Sequence, residues 1–226
     1  MIFPIGDENI KGPYKPWLSY GLIAINVLIY VYMITLPVGG IKNIYNLFAT
    51  TPTEILQGQE YYTLMTNMFL HGSFLHLAFN MLFMWIFADN IEIILGKIYF
   101  IIFYLAGGIF ASLAHVFTNM ESSIPSLGAS GALAAVMGAY LVFFPKSKIK
   151  VLVIYLLRNI NISAIWFLGA WFVMQLFSSI SNIGSNPEDG GTAWMAHVGG
   201  FVFGVVVAFI LKKTGVINPN KYKVVA

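Results

Sequence analysis

The sequence predicts an all-α membrane protein: a bundle of six transmembrane helices with both termini cytoplasmic. Three observations predict it. Of 226 residues, 58% are hydrophobic and 9% charged, with a mean hydropathy of +0.79; a soluble domain carries about 25% charged residues and needs them to cover its surface. Six apolar segments approach or reach the length that spans a hydrocarbon core of about 30 Å. Finally, 11 of the 12 basic residues fall in connections on one side of those segments, the charge bias of cytoplasmic loops.

The six expected spans cover residues 17–36, 74–88, 98–117, 130–144, 163–180 and 193–211, within one domain of residues 1–226. They are read as helices because lipid offers backbone groups no other partner. The arm before the first span, MIFPIGDENIKGPYKPW, lacks the short apolar core of a cleavable signal peptide. The connection 37–62 is long and semi-apolar (LFATTPTEILQGQEYY); it reads equally well as a segment along the membrane interface or as a solvated loop. The connection 181–192, SNIGSNPEDGGT, reads as a flexible outer turn. No segment gives a strong strand signal. Lys11, Lys15, Lys97, Lys146, Lys148, Lys150, Arg158, Lys212, Lys213, Lys221 and Lys223 lie in the cytoplasmic set, and Lys42 alone lies outside it.

Composition also excludes. There are no cysteines, hence no disulfides and no thiolate chemistry, and a formal charge of +3 is too small to suggest a nucleic-acid partner. His71 and His76 are five apart with no glutamate between them, which is not the spacing of a helical zinc site. No metal or organic cofactor is implied.

Polar groups gather at one depth. With this topology, spans two, four and six all run inward. Ser130 opens the fourth, His197 lies about one turn into the sixth, and His76 and Asn80 share a face of the second. The fourth span is short: fifteen residues rise about 22 Å. Its outer end is therefore sunk in the membrane, with NMESSIPSLGA dipping to meet it, and irregular backbone at that depth requires a protein-enclosed, wet cavity. Ser130, Ala134 and Gly138 recur every four residues, as do Gly200 and Gly204, with His197 three before Gly200. Two small-residue faces of this kind let helices approach closely. If they meet, His197 comes beside Ser130.

Each signal has a plainer reading. Alone, Gly-Ala-Ser-Gly-Ala in an apolar helix is packing, and His76 with Asn80 is an interhelical hydrogen-bonding pair. His71 and His115, near the outer boundary, read as structural; Trp166, Trp171 and Phe172 read as lipid-facing or core aromatics. The conjunction shifts the balance. A serine, a histidine and a His/Asn donor pair on three helices are the nucleophile, base and oxyanion donors that acyl transfer needs.

At these residues the sequence resembles the rhomboid family of intramembrane serine proteases, over nearly the whole chain. The motifs are HGSFLHLAFN in the second span, GASGA opening the fourth and AHVGGFVFG in the sixth. The resemblance implies Ser130 as nucleophile, His197 as general base, and His76 and Asn80 with the Ser130 N–H as oxyanion hole. It also implies a structural carboxylate at Glu92, and places Phe79 and Trp171 where the family has aromatics between helices two and five, at a lateral gate. Two positions depart from the pattern. Tyr62-Thr63 stands where relatives often carry Trp-Arg, and Ala134 stands where many have an aromatic stacked on the catalytic histidine, so His197 must be held by other contacts.

The implied function is hydrolysis of peptide bonds in transmembrane segments of other proteins, in the cell membrane, by a multi-pass enzyme that uses a Ser130–His197 dyad. None of the nine acidic residues falls inside a span near His197. Two alternatives stay open: a non-catalytic relative that binds membrane clients, which loss of the serine or histidine would mark, and a small transporter, which would show internal repeats and polar inner halves.

Overall fold

The computed structural model describes residues 2–181, 193–222 and 224–225. Apart from Ser181, the turn expected at 181–192 lies outside them, as do Glu188 and Asp189. Among the described residues, five helices are long and apolar enough to cross a membrane: α1 (Trp17–Ile34), α5 (Phe74–Leu95), α6 (Lys97–Thr118), α8 (Ala164–Ser181) and α9 (Trp194–Lys213). A sixth apolar helix, α7 (Ser130–Phe143), has 14 residues, a rise of about 21 Å. It forms the axis of the bundle, and residues 131–140 are all buried. Four long helices, α5, α6, α8 and α9, pack around it.

The closest packing joins α7 to α9, and small residues are the reason. A Cβ on Gly200 would collide with the carbonyl of Gly131, one on Gly204 with the carbonyl of Ala135, and one on Gly138 with the carbonyl of Phe201. The expected small-residue faces therefore meet, backbone against backbone.

Helix α5 runs seven residues past the expected end at Ala88. Asp89, Asn90 and Glu92 read as the polar end of a span, but their partners lie far away in sequence. Asn90 donates to Asp7 Oδ2 (2.8 Å) and accepts from the Ile10 N–H (2.9 Å). Glu92 accepts from the Leu18 N–H (3.2 Å), the Ser19 N–H (2.7 Å) and the Ser19 hydroxyl (2.8 Å). Satisfied in this way, the helix continues to Gly96, whose φ of +84° favours glycine and ends it.

The all-α expectation is corrected by strands. β1 (Ile2–Asp7), β3 (Lys148–Val153) and β4 (Arg158–Ser163) form an antiparallel sheet in the order β1-β3-β4, and β2 (Asn9–Ile10) pairs with β5 (Val224–Val225). KIKVLV alternates: Ile149, Val151 and Val153 are buried, while Lys148 and Lys150 are exposed. That period of two sits in a short basic connection, and its partner β1 carries Pro4 and Gly6 with a register shift between them.

The sheet does not hang free of the bundle. Asp7 bonds Asn90, and Phe3 stacks on Phe79 with ring centroids 5.6 Å apart. Eleven helical residues rise about 16 Å and four strand residues about 13 Å, so β1 runs alongside α5. At its other edge β4 runs straight into α8 at Ser163–Ala164, where the Ala164 N–H donates to the Ser147 carbonyl (2.9 Å). The sheet is thus tied to α5 through β1 and to the start of α8 through β4.

The connection 37–62 is helical: α2 (Val38–Phe48) and α3 (Pro52–Leu56), followed by α4 (Thr63–Thr66) and a 3-10 turn at Asn67–Phe69. It is anchored without the Trp-Arg pair. Thr50 and Ser126 exchange backbone hydrogen bonds of 3.0 and 2.8 Å. Thr50 Oγ1 donates to the Thr63 carbonyl, and Asn67 donates to Thr50 Oγ1 and to Ser112 Oγ.

Candidate active site

Ser130 is the first residue of α7, preceded by Gly128, whose φ is +128°. That backbone carries the chain from the irregular 119–129 segment into the helix. At the helix N-terminus the first amides have no intrahelical acceptor, so the Ser130 N–H is a donor beside its own hydroxyl.

His197, one turn into α9, brings its Nε2 to 2.8 Å from Ser130 Oγ. Its Nδ1 lies 2.7 Å from Oε1 of Gln175, on α8. Trp171, one turn earlier on α8, lies over the imidazole with centroids 5.9 Å apart, and Trp194 meets it edge-on at 6.2 Å. Both ring nitrogens therefore have neutral partners.

His76 reaches the same place from the first turn of α5, a turn started by Ser73, whose hydroxyl accepts from the His76 N–H (3.2 Å). A Cβ on Gly128 would stand 2.7 Å from His76 Nε2 and 3.7 Å from Ser130 Oγ, so the glycine keeps the two groups on a common centre. Asn80 is buried one turn further on, and its Nδ2 has no hydrogen-bond partner among the described residues. A buried amide donor without a partner is costly and is available to a ligand oxygen. The structure brings together Ser130 with His197, and His76 with Gly128 beside them.

His71, set aside in the sequence as structural, is fully buried and packs edge-on against His76 at 5.1 Å. Burial, with the neighbouring His76, pushes its pKa down to about 3, so it is a neutral wall behind His76. His115 bonds Asn119, the residue that follows its own helix. Beneath Ser130 a cavity of about 20 Å³, lined by Asn67, Ser112, Ser126, Gly128 and Ser130 among others, has room for one water.

Sequence reasoning missed Gln175. The available signal was a single amide side chain in the otherwise uncharged stretch from Ala164 to Phe177. Phe79 and Trp171, expected at a gate between two helices, have other partners: Phe79 stacks on Phe3, and Trp171 lies against His197 and Phe201.

A family profile described as the rhomboid domain matches residues 58–214. The chain is 34% identical over 200 residues to rhomboid protease GluP of Bacillus subtilis, covering 87% of this chain and 35% of that protein. It is 27% identical over 204 residues to the mitochondrial rhomboid protein 1 of Saccharomyces cerevisiae, covering 87% and 54%. It is 32% identical over 139 residues to the mitochondrial presenilin-associated rhomboid-like protein A of Danio rerio, covering 61% and 34%. The chain thus spans about a third to about half the length of these relatives. The profile covers most of the chain, and the apolar helices fit it: this is a multi-pass membrane protein of the rhomboid family.

Proposed function

We propose that the chain is a serine endopeptidase that cleaves transmembrane segments of other membrane proteins. The observation that carries the reading is the 2.8 Å contact between Ser130 Oγ and His197 Nε2. It joins the start of one apolar helix to the first turn of another, in a family whose relatives include a named protease.

The chemistry follows from the atoms. Ser130 Oγ attacks the scissile carbonyl while its proton passes to His197 Nε2. The carbonyl oxygen becomes an oxyanion, met by the Ser130 N–H, Asn80 Nδ2 and His76. His197 returns the proton to the leaving amine, and the acyl group stays on Ser130. A water then gives its proton to His197 and attacks the ester; as the acyl–Oγ bond breaks, His197 passes that proton to Ser130 Oγ, and the acyl group leaves as the new C-terminal acid. Both nitrogens of His197 meet neutral groups, which fits a dyad. A helical substrate hides its carbonyls in hydrogen bonds, so cleavage requires local unwinding and favours sites with helix-destabilising residues.

The same reading makes the chain one domain of six spans, with α7 as the short fourth span, both termini cytoplasmic, Ser130 below the outer surface, and the cell membrane as its location. The test is incubation of purified protein in liposomes with a panel of single-span membrane proteins, comparing wild type with Ser130→Ala, His197→Ala, His76→Ala and Asn80→Ala. The first two changes should abolish cleavage with the helices intact. The last two should each lower it by about a hundredfold, the order of one oxyanion donor. A fluorophosphonate should label Ser130. Cleavage by Ser130→Ala at the wild-type rate would overturn the reading.

A further inference from the structure

We propose that Gln175 is the positioning residue of His197: its side-chain carbonyl fixes which ring nitrogen carries the proton and how the ring faces Ser130. The inference rests on the reading of Ser130 and His197 as nucleophile and base, and adds to it the group that takes the place of a triad acid.

The argument begins with what an amide oxygen can do. Oε1 of Gln175 has no proton to give. At 2.7 Å from Nδ1 it can only accept, so Nδ1 carries the hydrogen. In the neutral ring Nε2 then holds the lone pair, and the 2.8 Å contact to Ser130 runs with the hydroxyl donating. That is the tautomer in which the histidine can take the serine proton. The opposite tautomer would put Nδ1 lone pair against carbonyl lone pair and leave Ser130 Oγ without its acceptor.

The placement is equally specific. Gln175 is only 3% exposed, and it follows Trp171 by four residues, so both side chains leave α8 on one face. Trp171 covers the imidazole, and Gln175 holds its Nδ1 edge. Together they constrain ring tilt and rotation, where Ala134 on α7 supplies only a methyl group. A polar side chain buried in a membrane span is expensive unless it has a partner; here the partner is His197. The neutral amide also avoids the burial of a carboxylate at this depth. Among the described residues, the titratable groups whose fields reach His197 are His76 on α5 and His115 on α6.

The experiment uses the full chain in liposomes and three variants: Gln175→Leu, Gln175→Met and Gln175→Glu. Leucine and methionine keep the volume and lose the carbonyl acceptor. Glutamate keeps an acceptor and, when ionised, stabilises the charged ring. Fluorophosphonate labelling of Ser130 and cleavage of a membrane substrate are followed from pH 5 to 9. Leucine and methionine should slow both by about a hundredfold, the scale of correctly poised acid–base chemistry. KM should stay near wild type, and the thermal midpoint should fall only by the few degrees that one unpaired buried donor costs. Glutamate should restore most of the rate and move the acid limb to higher pH. A second readout does not need turnover. In Ser130→Ala protein with 15N-labelled histidine, NMR should show Nδ1 protonated, and adding Gln175→Leu should give a tautomer mixture. Wild-type labelling rates in leucine and methionine overturn the proposal. So do equal losses in all three variants with an unmoved pH limb, or an unchanged tautomer in the double variant. Failure of the parent reading looks different: Ser130→Ala would still cleave.

Discussion

Gly204 of α9 lies against the backbone carbonyl of Ala135 in α7, with no room for a methyl group between them. This contact, with that of Gly200 on Gly131, sets the spacing that brings His197 to Ser130. Gly204→Ala should force the helices apart, at about 1–3 kcal/mol of overpacking. A displacement near 1 Å at the site should cost about a hundredfold in cleavage rate. Gly21, in α1 with open space where a Cβ would stand, is the control: Gly21→Ala should leave the rate unchanged and should not lower the melting temperature. Cleavage assays and thermal melts of both variants check this.

Glu92 should anchor α1. Its carboxylate accepts from the backbone N–H groups of Leu18 and Ser19, in the first turn of that helix, where no intrahelical acceptor exists. Glu92→Ala leaves these donors and the Ser19 hydroxyl unpaired and should lose about 3 kcal/mol, seen as a melting temperature lower by roughly 6–12 °C. Glu92→Gln keeps one acceptor oxygen and should lose less.

Asp7 should make stability depend on pH. Burial, with Asp89 and Glu8 nearby, raises its pKa from 3.8 to about 8, against the lowering effect of the Tyr140 and Asn90 hydrogen bonds. The folded chain then holds a proton that the unfolded chain has lost between about pH 4 and pH 8, so the stabilisation is full below pH 4 and is lost as pH rises through 8. Asp7→Asn should remove that fall. Melting temperatures of wild type and variant between pH 5 and 9 would show it, and parallel curves would exclude it.

The sheet beside α5 should restrict substrate access. Phe3→Ala or Phe79→Ala removes the stacked pair and should raise turnover of membrane substrates. Trp171→Ala uncovers His197 and should lower kcat. Equal losses in all three would make the sheet scaffold alone.

Topology has its own measurement. On the proposed orientation a cysteine at the exposed position Glu121 should react with an impermeant reagent added outside, and one at Lys146 should not. The reverse pattern would place Ser130 at the cytoplasmic end.

The parts legible in the sequence are those written in local periodicity. Ser130, Ala134 and Gly138, with Gly200 and Gly204, describe one contact at helical spacing, and that contact is present. The rest depends on partners distant in the chain. The end of α5 was hidden because Asn90 and Glu92 are satisfied by residues 7–19, more than seventy positions earlier. β3 was hidden because its partner β1 is broken by Pro4 and Gly6. Gln175 was hidden for another reason: aromatic neighbours dominate α8, and one amide among them gains meaning only once His197 is placed beside it.

Chain order gives the Ser130–His197 contact a schedule. The two residues are 67 positions apart, and α9 is the last long helix among the described residues. Segments leave the ribosome from the N-terminus onward, so the serine is synthesised well before its base. While the segment between them is being made, the growing chain carries a hydroxyl with nothing to activate it. An enzyme that cuts membrane-embedded helices would, by this order, be silent while its own helices are still arriving, and would become competent only when the final one docks.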